Sequence, residues 1–160
     1  MFKKEVMYSS SSIIFFTFIL PLGIILRLFR LGHFSLWYDE GASIQLSKLV
    51  NLKFDFLSPL LNNEPPANAL LTFLWLKFLD NIRFWEKYSE WDDFAIRLLP
   101  CMWGIISIFI FYNVVKKIFK ESTLPLYLAT FLFAISPFQI YYSQELRIYS
   151  FYVLINLVGL

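Results

Sequence analysis

Charge is scarce in this chain. Of its 160 residues only 16% are Asp, Glu, Lys or Arg, against about 25% in an ordinary soluble domain. The formal net charge is +2, and no basic run is interleaved with aromatics, so no nucleic-acid surface is expected. Cysteine is confined to Cys101, which excludes an intrachain disulfide and a cysteine zinc site. Cys101 falls in an apolar segment, where a packed thiol is the expectation. His33 stands alone, without a ligand set around it. There is no glycine-rich phosphate loop and no Ser-His-Asp set, which leaves nucleotide donors and hydrolase chemistry without support. The sequence shows neither an internal repeat nor a low-complexity tract.

What fills the chain is apolar and aromatic: 58% hydrophobic, with 19 Phe, 9 Tyr and 5 Trp. That composition predicts an all-α, polytopic membrane protein. Four stretches, uncharged but for Arg27 and Lys116 at their ends, are the candidate spans, at about 8–27, 98–116, 122–142 and 148–160. The fourth breaks off at Leu160, so the chain reads as truncated after about four spans. Lys3 and Lys4 precede the first. The bulky Pro21-Leu22-Gly23-Ile24-Ile25-Leu26 at its far end does not suit signal cleavage, which predicts a retained anchor.

Between the first two spans lies a long loop, about 28–97. Within it the run Pro65 to Leu76 is only about 12 residues, short of the ~17 that crossing requires. It predicts a helix lying in the membrane interface, with Pro65 and Pro66 in its first turn. The stretch from Trp85 to Asp93 predicts a solvated loop on that interface. Lys3, Lys4, Lys116, Lys117 and Lys120 are expected on the cytoplasmic side, which places the N-terminus there and the long loop outside. Arg27, Arg30 and Arg97 lie at the outer ends of spans.

Two polar clusters then share the external face. The first is Trp37-Tyr38-Asp39-Glu40; the second is Ser143-Gln144-Glu145-Leu146-Arg147, with Tyr149 just beyond. Acidic pairs are costly in hydrocarbon, so Asp39 and Glu40 belong at the surface. Such a pair binds a metal, takes a proton, or starts a helix. For Asp39 the plain structural alternative is an N-cap for a helix from Glu40 to Val50. For Arg147 it is a snorkelling interfacial side chain. Trp37, Tyr38, Tyr141 and Tyr142 suit an aromatic belt.

The order of motifs resembles the N-terminal part of GT-C membrane glycosyltransferases. It runs from Leu36-Trp37-Tyr38-Asp39-Glu40 through Glu64-Pro65-Pro66, Arg97-Leu98-Leu99-Pro100 and Ser136-Pro137-Phe138. It ends with Tyr142-Ser143-Gln144-Glu145-Leu146-Arg147-Ile148-Tyr149. The branch it looks most like is the protein-mannosyltransferase-like group, which includes aminoarabinose and rhizobial lipopolysaccharide sugar transferases. The chain departs from that pattern with Ala67-Asn68 after the double proline, and family members have more spans.

The resemblance implies a polyprenyl-phosphate-linked sugar as donor. It implies transfer with inversion to a lipid, glycan or protein acceptor on the non-cytoplasmic face. It makes Asp39 the catalytic candidate, as base for the acceptor proton, with Glu40 beside it. Glu145, Arg147 and Tyr149 match the positions near the donor phosphate, where a cation stabilises the leaving charge. Trp37 and Glu64 are expected along the acceptor side or cleft. Glu40 and Glu145 are candidate ligands for a divalent cation, Mg or Mn. The competing reading is a non-catalytic membrane subunit or remnant of such an enzyme. It would scaffold a partner chain or await a missing C-terminal part.

Overall fold

The computed structural model describes residues 12–49, 65–81, 90–119 and 123–160. Among these every regular element is helical and there is no strand, so the all-α class holds. The helices are α1 (Ser12–Leu28), α2 (Tyr38–Leu49), α3 (Pro66–Asn81) and α4 (Glu90–Ile118). After these come α5 (Thr123–Ile135), α6 (Pro137–Ser143) and α7 (Tyr149–Val158). One helix is long and apolar enough by itself to cross a membrane, the Asp93–Ile118 part of α4. Leu124–Ile135 and Pro137–Ser143 pass the same test only together, as a pair bent by 47°. α1 and α7 are apolar but shorter. The described residues therefore show one or two such helices, where the sequence predicts four spans; residues 8–11 of the first predicted span lie outside them.

α4 is the axis of the bundle. No charge interrupts it between Arg97 and Lys116, a stretch of roughly 30 Å at 1.5 Å per residue. α1 and α5 close on its second half around Phe15, Ile19, Ile108 and Ala134. Phe15 stacks on Tyr112 with ring centroids 3.9 Å apart, and Phe111 on Phe133 at 4.2 Å. On another side α7 covers α4, where Phe151 meets Trp103 at 4.8 Å. The outward surface is apolar too: Phe18, Ile25, Leu128, Leu132 and Ile155 are exposed. Inside, Ser107 and Thr130 are buried and satisfied by their own helices, through Trp103 O at 2.8 Å and Leu126 O at 2.7 Å. Helices apolar on the outside with small polar groups within suit a hydrocarbon surrounding rather than water.

Prolines shape two of these helices. Pro21 has no N–H, and its ring crowds the preceding turn. That turn, Phe15–Ile19, is widened to a π-helix, with Leu20 N bonding Phe15 O. Pro137 ends α5 and starts α6 as its first residue, where a missing N–H costs nothing.

Three boundaries differ from the sequence reading. α2 starts at Tyr38, so Asp39 is in its first turn and is not the N-cap. α3 runs on through Lys77 and Asp80 to Asn81, because helices tolerate exposed charges that a bilayer core would not. Pro65 O accepts from Asn68 N and Ala69 N at 2.9 and 3.3 Å, which starts α3 as the double proline predicts. α4 begins at Glu90, so the end of the predicted 85–93 loop is its first turn. The sequence places acidic residues there, and the macrodipole favours them at a helix start.

The link from α1 to α2 is pressed onto the start of α4. Arg30 has φ 57° and Gly32 φ 102°. A Cβ at Gly32 would lie 2.7 Å from Phe94 N and 2.8 Å from Phe94 Cα, so both conformation and space require glycine. Gly32→Ala is expected to lower stability by about 1–3 kcal/mol. Gly41→Ala is the contrast: a Cβ there meets nothing within 4 Å, and the change is expected to be neutral or stabilising by up to about 1 kcal/mol. Heat-induced unfolding of the two variants in detergent measures the difference.

Candidate functional site

Glu40 is the centre of the site. Its side chain is only 1% exposed, although an acidic residue would ordinarily seek water. Four N–H groups meet it. Arg97 grips it in a two-pronged bond, Nε to Oε1 at 2.9 Å and Nη2 to Oε2 at 2.6 Å. Leu146 N donates to Oε1 at 2.8 Å and Trp37 N to Oε2 at 2.9 Å. The Trp37 bond is local in origin. Glu40 is the third residue of α2, and a glutamate there reaches back to the N–H before the helix, the acidic half of a capping box. The cap predicted for Asp39 is therefore supplied by Glu40.

Burial pushes the Glu40 carboxyl up, but Arg97 and the Leu146 and Trp37 N–H groups outweigh it and hold the pKa below the ordinary value. Arg97 is itself buried and uses its other N–H groups on the α1–α2 link, donating to Phe34 O at 2.7 Å and Ser35 O at 3.2 Å.

A second set of bonds lies one turn further along α2. Ser43 is buried and donates to Asp39 O at 3.0 Å. Its oxygen accepts from Asn68 Nδ2 of α3 and from Arg147 Nη1, both at 3.1 Å. The Arg147 guanidinium also lies 6.0 Å over the Tyr149 ring. Gln144 turns the other way and caps α1, with Nε2 at 3.0 Å from both Arg27 O and Phe29 O. The two polar clusters, about a hundred residues apart in sequence, are thus in direct contact at the end of α4 away from Lys116 and Lys117.

Beside this network an open cleft of about 430 Å³ is lined by Arg30, Trp37, Arg97, Tyr141, Gln144 and Glu145, among others. Trp37 is 60% exposed there. The Glu145 carboxyl beside Tyr141 pushes the phenol pKa up. Polar edges, a cation and exposed aromatic faces in one concavity suit a ligand with both polar and apolar parts.

The predicted site residues are distributed as follows. Trp37 and Glu145 line the cleft. Glu40 lies behind it, engaged on every side. Asp39 is exposed on the first turn of α2 and does not line the cleft. Arg147 is at Ser43, and Tyr149 is half-exposed against Tyr142, at 4.9 Å. Glu64 lies outside the described residues. As a ligand for Mg or Mn, Glu40 has no lone pair left over. Among the described residues no three of His, Cys, Asp and Glu converge.

The sequence reading places Arg97 at the outer end of a span, within the motif Arg97-Leu98-Leu99-Pro100, and gives no role to Ser43 or Arg30. The one signal for Arg97 was its two-pronged donor geometry, which suits a carboxylate better than lysine does. Compared with protein-family models, curated proteins and solved structures, the chain finds no match.

Because the Glu40 pKa is depressed in the folded state, its contribution to stability is present above the ordinary value of 4.5. That contribution is lost as the pH falls through the lower, folded value. Glu40→Gln leaves Arg97 buried without its counter-charge and is expected to cost about 3–5 kcal/mol. Unfolding followed in detergent between neutral and acid pH should show this loss at neutral pH, and should show the variant lacking Glu40's share of the acid sensitivity.

Proposed function

We propose that this chain belongs to a multi-pass membrane glycosyltransferase of the GT-C kind. It would transfer a sugar from a polyprenyl-phosphate donor to a lipid, glycan or protein acceptor on the non-cytoplasmic face, with inversion. The observation that carries the reading is the bond from Leu146 N to Glu40 Oε1 at 2.8 Å. It joins the two clusters that the resemblance assigns to one active site. The N-terminus is then cytoplasmic, and α2 and α3 lie at the outer interface of the cell membrane.

In this reading Asp39, exposed on a turn that Glu40 fixes, accepts the proton of the acceptor hydroxyl. The hydroxyl oxygen bonds to the anomeric carbon as the bond from that carbon to the phosphate oxygen breaks on the opposite face. The lipid phosphate leaves with the electron pair. Arg147, with Tyr149 and the cleft cation Arg30, faces the charge that develops. Glu145 lines the cleft with Tyr141 and borders the sugar. Glu40 acts through Trp37 and Arg97 by keeping the loop in place. No step is drawn through a metal.

One observation favours the non-catalytic reading, in which the chain is a scaffolding subunit. Glu40 has all four acceptor positions filled by protein donors, which is also how a purely structural carboxylate looks. Asp39→Asn separates the two readings. In the complete protein in its own membranes, transfer from a radiolabelled polyprenyl-phosphate sugar should fall by at least about a hundredfold, with membrane insertion unchanged. Full transfer by that variant would remove Asp39 from the mechanism.

A further inference from the structure

Arg27 is a fully buried arginine, at 0% exposure, near the end of α1. An arginine at a span end ordinarily snorkels to water; this one does not. Nη1 donates to Gly23 O in its own helix at 3.1 Å and to Ala134 O at 2.9 Å. Nε and Nη2 have no hydrogen-bond partner. Leaving two buried donors unpaired is unfavourable, and the guanidinium's bond outside its own helix is the one to Ala134 O.

Ala134 sits one residue before the end of α5. In an unbroken helix its carbonyl would accept from Phe138 N, but the chain breaks between Ile135 and Pro137 and bends by 47°. Arg27 supplies a donor at that break, and its cation lies at the negative end of α5. The backbone of the same residue holds the far side of the bend, since Arg27 O accepts from Gln144 Nε2 at 3.0 Å. Gly104 forms the floor. A Cβ there would lie 2.5 Å from Ser143 Cβ and 3.1 Å from Arg27 Nε.

We infer that Arg27 is a positioning residue that clamps both sides of the α5–α6 bend and thereby sets where the 144–148 turn meets Glu40. One jaw is the guanidinium on Ala134; the other is the carbonyl on Gln144. The consequence for the site rests on the proposed function, but the clamp itself does not, and its test is independent of sugar transfer.

The test reads the burial of Ser143, which is 0% exposed and lies just before the turn. In a Cys101→Ala background, the thiol introduced by Ser143→Cys is labelled with a water-soluble maleimide. Thr130→Cys, also at 0% exposure but before the bend, serves as the comparator. Arg27→Met, which keeps bulk and loses the donor, should raise labelling at position 143 about tenfold and leave position 130 protected. Arg27→Lys should restore protection, because one N–H on Ala134 O suffices.

In a Pro137→Ala background the helix can supply its own donor, and Arg27→Met should then add nothing. Should Arg27→Met yield too little folded protein, Gln144→Ala opens the other jaw and should give the same selective labelling. The inference is overturned if position 143 stays protected in these variants. It is equally overturned if positions 143 and 130 become reactive together, which would mean general loosening.

Discussion

The Glu40–Arg97 pair is the constraint on which the outer end of this molecule depends. Desolvating a carboxylate and a guanidinium costs several kcal/mol per ion, and their attraction offsets this only when the remaining bonding positions are also filled. Here they are, and by groups from different parts of the chain: Trp37 before α2, Leu146 in the turn after α6, and Phe34 and Ser35 in the α1–α2 link. A hydrophobic pair of equal volume would hold α2 against α4 about as well. It would not specify which residue of the 144–148 turn docks on α2. The value of the ion pair is therefore register, and its loss should disturb placement as much as stability.

The outer faces of the bundle carry many exposed apolar side chains. On such helices apolar contact alone does not select a packing, and close approach and polar contacts decide. The molecule uses both. Phe15 lies flat on Tyr112, and the Ser143 side chain of α6 comes close enough to α4 that Gly104 has no room for a methyl group. Buried Ser107, Thr130 and Ser143 bond within their own helices and so bring no unsatisfied hydroxyl into the interior. Among the described residues the Ser150 hydroxyl and two donors of Arg27 are buried without a partner, and Arg27 sits where a broken helix leaves a carbonyl in need of a donor.

Much of this was legible in the sequence and some was not, for identifiable reasons. Helical class followed from long charge-free runs, and the start of α3 from Pro65-Pro66. Trp37 to Glu40 and Ser143 to Arg147 stood out because charged groups beside apolar runs are conspicuous. Their partners were hidden. Whether an arginine at the edge of an apolar run reaches water or turns inward depends on what lies a hundred residues away. Arg27, Arg30 and Arg97 therefore looked alike, yet Arg27 is wholly buried, Arg97 is paired, and Arg30 lines a cleft. The helix start at Tyr38 was missed because a glutamate that caps from within a first turn, as Glu40 does, reads the same as one in a loop.

The fully bonded state of Glu40 bears on chemistry as well as architecture. A carboxylate with four N–H donors and a depressed pKa is a poor base and a poor metal ligand. Of the two adjacent acids, Asp39 is the exposed one. A base must be free to accept a proton, yet it must be held where the hydroxyl arrives. Adjacent acids in the first turn of a helix divide these requirements between them, one locked and one exposed. A scaffold needs only the locked member. The exposed one adds only a first-turn charge that the helix dipole favours, and it is on that residue that the catalytic and scaffolding readings part.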